Sequence, residues 1–253
     1  MLKLIRYNLR LILRWGIYYT LFYGLLAYGL LSLNANPVGS LATLLNVVIY
    51  SSPMAALFLA IVFYFNSHEL SLSFMVLPLS RKQVFFSQYL ALNLVLGVGV
   101  ILGLGFPFLL HGFTGALGLL MVLALLLNAC FSAIGYALCL KQENKLKVFG
   151  LGFAIWVTVS LLYDGLLMGL LIYLSSYPTE GLTILATLVN PIDLSRTLML
   201  MVMEATAFMG YTGAVFQRFF TDSLGMVLAV VALIGWVVLP LALFNRWLKK
   251  KSF

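Results

Sequence analysis

Charge is what this sequence has least of. Asp, Glu, Lys and Arg together make up 9% of its 253 residues, where a soluble domain carries roughly 25%. Too few polar side chains remain to coat a water-facing surface. Histidine and cysteine are almost absent, at two each. Cys130 and Cys139 stand in one apolar run, about two and a half helical turns apart, too far for a disulfide or a shared metal. They read as small packing residues. No G-x-x-x-x-G-K-[ST], H-E-x-x-H or G-x-S-x-G occurs. ATP hydrolysis by a P-loop, zinc proteolysis and nucleophile-elbow hydrolysis are excluded as activities of this chain.

Apolar residues fill the space instead, at 63%, with a mean hydropathy of +1.09. Six stretches are long enough to cross a bilayer as helices: Trp15–Leu33, Leu41–Phe65, Val84–Leu110, Ala116–Leu140, Val148–Tyr173 and Leu224–Phe244. Helices are required because the hydrocarbon offers no partner for backbone N–H and C=O groups. Continuous apolar runs do not fit the short alternating segments of a β-barrel. The fold class is therefore an all-α membrane protein. The basic residues before the first span resemble a signal-peptide n-region, but the apolar run is long and no clear cleavage site follows. A retained anchor is expected.

Lys and Arg fall on alternate loops. All but Arg196 and Arg218 of the fifteen lie in the N-terminus, in loop 66–83, in the loop after Leu140 or in the C-terminal tail. The positive-inside rule then puts both termini in the cytoplasm. Segments 34–40, 111–115 and 174–223 face outward, and His68 and His111 fall on opposite sides. The net charge of +8 reads as orientation and contact with anionic lipid heads, not nucleic-acid binding.

Residues 1–14 read as a cytoplasmic amphipathic helix, because Lys3, Arg6, Arg10 and Arg14 share an arc of about 80° at roughly 100° per residue. Loop 66–83 has an apolar centre flanked by Glu69, Arg81 and Lys82. It reads either as a short helix broken at Pro78 and suited to docking on another subunit, or as continuation of the flanking spans. Gly99/Gly103 and Gly165/Gly169 are G-x-x-x-G pairs that allow close helix approach. Pro53, Pro107 and Pro240 are expected to kink their spans.

Asp164 is the only acid inside a span. It lines an aqueous path, pairs with a polar residue of another helix, or sits near the interface with its own water. Segment 174–223 is amphipathic and parses as three helices: Thr179–Val189, a second from Pro191 to about Met209, and Ala214–Phe220. Asn190 caps the second, with Pro191 first and Asp193 third in a capping-box-like start. Thioether sulfur suits Cu(I), and Met199, Met201 and Met203 form an M-x-M-x-M run. Met201 points away from the other two on a helix, so only Met199 and Met203 remain as weak candidate ligands.

These features together resemble the ABC-2 family of ATP-binding-cassette permeases. The string LPLSRKQVFFSQYL at Leu77–Leu90 looks like that family's cytoplasmic signature, with Ser87-Gln88 where many members have Gly-Lys. The strings KQENKLKVFGLGFAIWVTVSLLYDG, LVNPIDLSRTLML and FMGYTGAVFQRFF narrow the resemblance to permeases of the transporter that assists nitrous oxide reductase maturation. Asn190-Pro191-Ile192-Asp193 followed by Arg196 is its most specific part. The resemblance implies an elbow helix at 1–14, a six-span domain over 15–244 and a basic tail at 245–253. It implies a homodimer with a cytoplasmic ATPase subunit, which carries ATP and Mg, and an extracytoplasmic β-helical copper-handling protein. Glu69, Pro78, Arg81 and Lys82 would couple to the ATPase. Asn190, Pro191, Asp193 and Arg196 would meet the extracytoplasmic partner.

Overall fold

A computed structural model describes residues 2–33, 37–67, 80–111, 115–174, 177, 179–203 and 223–250. Every regular element among them is a helix. In chain order these are α1 (Leu2–Leu33), α2 (Pro37–Asn66), α3 (Arg81–His111), α4 (Gly115–Lys141) and α5 (Lys145–Val157). A π-helical turn, Thr158–Leu162, joins α5 to α6 (Tyr163–Tyr173). Then come α7 (Glu180–Val189), α8 (Pro191–Val202) and α9 (Ser223–Lys250). Pro53, Pro107 and Pro240 stand inside helices that run on past them.

Five helical stretches are long and apolar enough to cross a bilayer: Gly39–Asn66, Lys82–Pro107, Gly115–Lys141, Lys145–Tyr173 and Val227–Leu248. They match five of the six expected spans. The expected first span, Trp15–Leu33, lies within α1 and is not one of these five. It nevertheless packs lengthwise on α3, the most extensive helix pair in the fold. The bent pair α7–α8 passes the composition test as one broken span or a re-entrant loop.

The N-terminal parse is corrected. No separate surface helix ends at Arg14; α1 runs unbroken for 32 residues, about 48 Å. The reason lies on its buried side. Leu4, Asn8, Ile12, Gly16, Tyr19, Tyr23 and Ala27 form one stripe facing α3, and that stripe passes position 14 without a break. Lys3, Arg6, Arg10 and Arg14 stay exposed on the other side.

Glycine sets the α1–α3 approach. A Cβ at Gly103 would stand 2.8 Å from the Thr20 carbonyl oxygen, and one at Gly99 would stand 2.7 Å from the Tyr19 ring. The Gly99/Gly103 pair thus has α1 as its partner. Polar side chains link neighbouring helices as well. Asn8 donates to Ser87 at 3.1 Å, Gln88 donates to Ser67 at 3.1 Å, and Tyr19 exchanges hydrogen bonds with Asn128. Ser87 and Gln88, where the resemblance departs from many ABC-2 members, are therefore buried interhelical contacts.

Helix α4 is the centre of the bundle, packed by α2, α3 and α9. Cys130 and Cys139 are both buried there. The α5–π–α6 span lies at the edge. Only 6% of its most apolar window is buried, against 56% for α2, α3 and α4.

Candidate functional site

The hairpin α7–α8 turns through 114° at Asn190, and the backbone groups at that corner need partners wherever water is scarce. Asn190 supplies several. Its Oδ1 accepts from Ile192 N–H at 3.0 Å and from Asp193 N–H at 3.3 Å, the expected N-cap. Its Nδ2 donates to the Val159 carbonyl at 2.7 Å. That last bond answers a local defect. In the π turn Tyr163 N–H bonds Thr158 C=O, five residues back. Regular α spacing would have given that N–H to Val159, so the Val159 carbonyl takes Asn190 instead.

The C-terminal end of α7 is accounted for similarly. A helix leaves its last carbonyls without intrahelical partners. Here the Ala186 carbonyl accepts from Tyr163 Oη at 2.6 Å, and the Leu188 carbonyl accepts from Trp236 Nε1 at 3.3 Å. Asn190 N–H bonds Thr187 C=O at 3.2 Å. Asp193 departs from capping-box geometry: its Oδ2 accepts from Thr187 Oγ1 at 3.1 Å, tying α8 back onto α7.

Beside the corner lies an ion pair. Arg196 Nη1 meets Asp164 Oδ2 at 3.1 Å, with each side chain about one-third exposed, at 34% and 33%. Tyr50 Oη stands 3.5 Å from the same nitrogen. Trp156 Nε1 donates to the Tyr50 carbonyl at 3.1 Å and fixes α5 against α2. Of the readings open to Asp164 in the sequence, the structure shows pairing with a residue of another helix.

The depth of this cluster follows from the chain. Val159 is fourteen residues from either end of Lys145–Tyr173, so the corner at Asn190 touches the midpoint of a bilayer-length helix. Asp164 lies about 7 Å further along. A lone Asp or Arg near mid-bilayer costs about 2.5–3.5 kcal/mol on insertion scales, and pairing offsets part of that for both. The arrangement holds a helical corner at half depth by hydrogen bonds and one ion pair.

The sequence-predicted residues fare differently. Asn190 and Pro191 are buried in this chain and serve the corner itself, while Asp193 and Arg196 are partly buried. The exposed residues of this hairpin are others, among them Gly181, Leu185 and Val189. Met199 is fully buried in the core and Met203 partly so. Glu69 and Pro78 lie outside the described residues, as do the helix expected in loop 66–83, the end of the second outer helix near Met209 and the helix expected at Ala214–Phe220. Arg81 opens α3 and Lys82 is exposed on it. Among the described residues no three His, Cys, Asp or Glu side chains gather as metal ligands do. Sequence reasoning missed Tyr50, Tyr163, Thr187 and Trp236. Tyr50, Tyr163 and Trp236 pass for ordinary apolar span residues, and Thr187 for an ordinary helix residue.

Bilayer-length helices, a tightly packed bundle and a helical corner held at mid-depth define a multi-pass membrane protein. The chain is 27% identical over 215 residues to the "Probable ABC transporter permease protein NosY" of Pseudomonas aeruginosa, covering 77% of this chain and 78% of that one. No family model matches. The chain is thus similar to an ABC transporter permease, in line with the resemblance in its sequence.

Proposed function

We propose that two copies of this chain form the membrane part of an ABC transporter in the bacterial inner membrane, with both termini cytoplasmic. Each copy engages a NosF-like ATPase subunit that carries ATP and Mg. A NosD-like β-helical copper-handling protein sits on the opposite face. ATP hydrolysis drives copper-site maturation of nitrous oxide reductase. ATP-driven closure pushes on the coupling region Glu69–Lys82 and tilts the spans. The α7–α8 hairpin passes that motion to the extracytoplasmic partner.

The observation that carries the reading is the Asn190 corner on the π turn of the fifth span, joined by the Asp164–Arg196 pair. A hairpin anchored at mid-depth to a transmembrane helix moves when that helix moves. The similarity to NosY supports the choice of system. A second reading, an ABC-2 exporter of a lipid, peptide or drug-like molecule, is favoured by an aromatic-lined cavity of about 390 Å³ between α1 and α2. Trp15, Tyr18, Phe22 and Phe58 are among its walls.

Co-expression with the neighbouring ATPase and β-helix proteins tests the first reading. A five-chain complex is expected on co-purification, and deletion of this gene should leave nitrous oxide reductase without its copper centres. Normal copper centres in the deletion strain exclude the maturation role and leave the exporter. Altering Glu69 and Arg81 together is expected to abolish coupled ATPase stimulation without loss of membrane insertion; normal coupled turnover would overturn the coupling assignment.

A further inference from the structure

Two cavities lie end to end in the groove between α1 and α2. The shallower, about 130 Å³, begins at Leu11, Asn66 and Ser67. The deeper, about 390 Å³, ends at Tyr23 and Ser51. Trp15 and Leu59 stand in the walls of both, so the groove is continuous. From Leu11 to Tyr23 it follows α1 for about 18 Å. One leaflet of hydrocarbon is about 15 Å deep. The groove therefore serves a single leaflet, the one on the N-terminal side.

Its two ends differ in chemistry. At the deep end Tyr23 Oη is hydrogen-bonded to Ser51 Oγ at 2.8 Å, and Tyr19 Oη exchanges hydrogen bonds with Asn128. These hydroxyls are engaged within the bundle, while Phe22, Met54 and Phe58 present hydrocarbon to the cavity. At the mouth stands the exposed Asn66 and, on α1, two exposed cations. Arg14 comes three residues after Leu11 and four before Tyr18, which puts it on the rim, and Arg10 is one turn before Arg14. Trp15, 48% exposed, follows Arg14 at the level where tryptophan favours the headgroup boundary.

We propose that this groove binds an anionic phospholipid of that leaflet, one acyl chain laid along α1 and the phosphate at Arg10 and Arg14. The walls select hydrocarbon and the rim selects a negative headgroup. The lipid is a resident and not cargo, because the groove stops inside the membrane at the Tyr23–Ser51 bond and does not cross it. The inference rests on the membrane-spanning fold and is independent of the choice of transporter.

Photochemical capture tests it. Tyr18→p-benzoylphenylalanine sets a reactive ring in the deeper cavity, and the same replacement of Leu94, exposed on α3, is the control. The full-length chain is irradiated in its native membrane with its partners, and the adducts are identified by mass. Phospholipid adducts are expected at position 18, their anionic headgroups enriched at least about fivefold over those at position 94. Arg10→Gln with Arg14→Gln should abolish that enrichment while lipid adducts persist. Ala55→Phe, which narrows the deeper cavity, should deplete adducts at 18 and spare those at 94, which report that each variant is inserted. The same headgroups at both positions would mean annular lipid only and overturn the site. A peptide adduct at 18, from a second copy or from residues 68–79, gives the groove to protein and overturns it equally. Disappearance of the adduct once the assembled complex turns over ATP makes the lipid cargo and refutes residence.

Discussion

Replacing Asn190 with alanine removes three hydrogen bonds from one point at mid-bilayer depth. Two are the cap bonds to Ile192 N–H and Asp193 N–H, and the third is the donation to the Val159 carbonyl. Loss of an N-cap costs about 1 kcal/mol. Leaving a buried carbonyl without its partner costs about 1–3 kcal/mol. Alanine fills less space and supplies neither group, so a loss of about 2–4 kcal/mol of unfolding free energy is expected. Titration with a denaturing detergent, in mixed micelles at fixed lipid content, measures it. Asn190→Ser partitions the sum: the hydroxyl can still accept from the α8 N–H groups but is too short to stand in for the amide at Val159. Serine should therefore recover about 1 kcal/mol of what alanine loses. An alanine variant within about 0.5 kcal/mol of wild type would refute the account of the corner. Equal losses for serine and alanine would refute its division into cap and carbonyl.

Gly103→Ala places a methyl against the Thr20 carbonyl, 2.8 Å away. Overpacking of about 1–3 kcal/mol is expected in the same titration. Gly105→Ala, whose nearest contact is Met121 Cε at 3.7 Å, is expected to stay within about 0.5 kcal/mol of wild type. For the topology, a cysteine at Gly181, exposed at the end of α7 far from the corner, should react with a membrane-impermeant reagent on intact cells while a C-terminal tag does not. Thr183 is unsuitable because only 3% of it is exposed. Cys130 and Cys139 are buried and should contribute little background. Labelling of the tag alone reverses the orientation.

Helix existence was legible wherever an apolar run met a terminator. Asn190-Pro191 announced its cap and first helical turn, and Asp164 announced itself as the one acid in a span. The boundaries of α2 to α6 fall within a few residues of those read from hydropathy. Charge misled the reading of α1. The basic arc at Lys3 to Arg14 suggested a separate surface helix, yet the stripe through Leu4, Asn8 and Ile12 continues into the span. Exposure of segment 174–223 was also misread at its centre. Its most specific string, Asn190 to Asp193, is turned inward to satisfy a backbone defect in another helix. That defect, the π turn at Thr158–Leu162, leaves no mark in composition. Its partner residues are recognisable only once the fold brings position 190 to position 159.

Length is then the variable that tunes the far half of the fifth span. The π turn absorbs one extra residue between α5 and the eleven residues of α6. Losing a single codon anywhere in 158–162 would restore regular winding and leave Asp164 facing much as before, because five π residues turn about as far as four α residues. The Val159 carbonyl would regain a partner within its own helix, and the asparagine docked on it would have nothing left to grip.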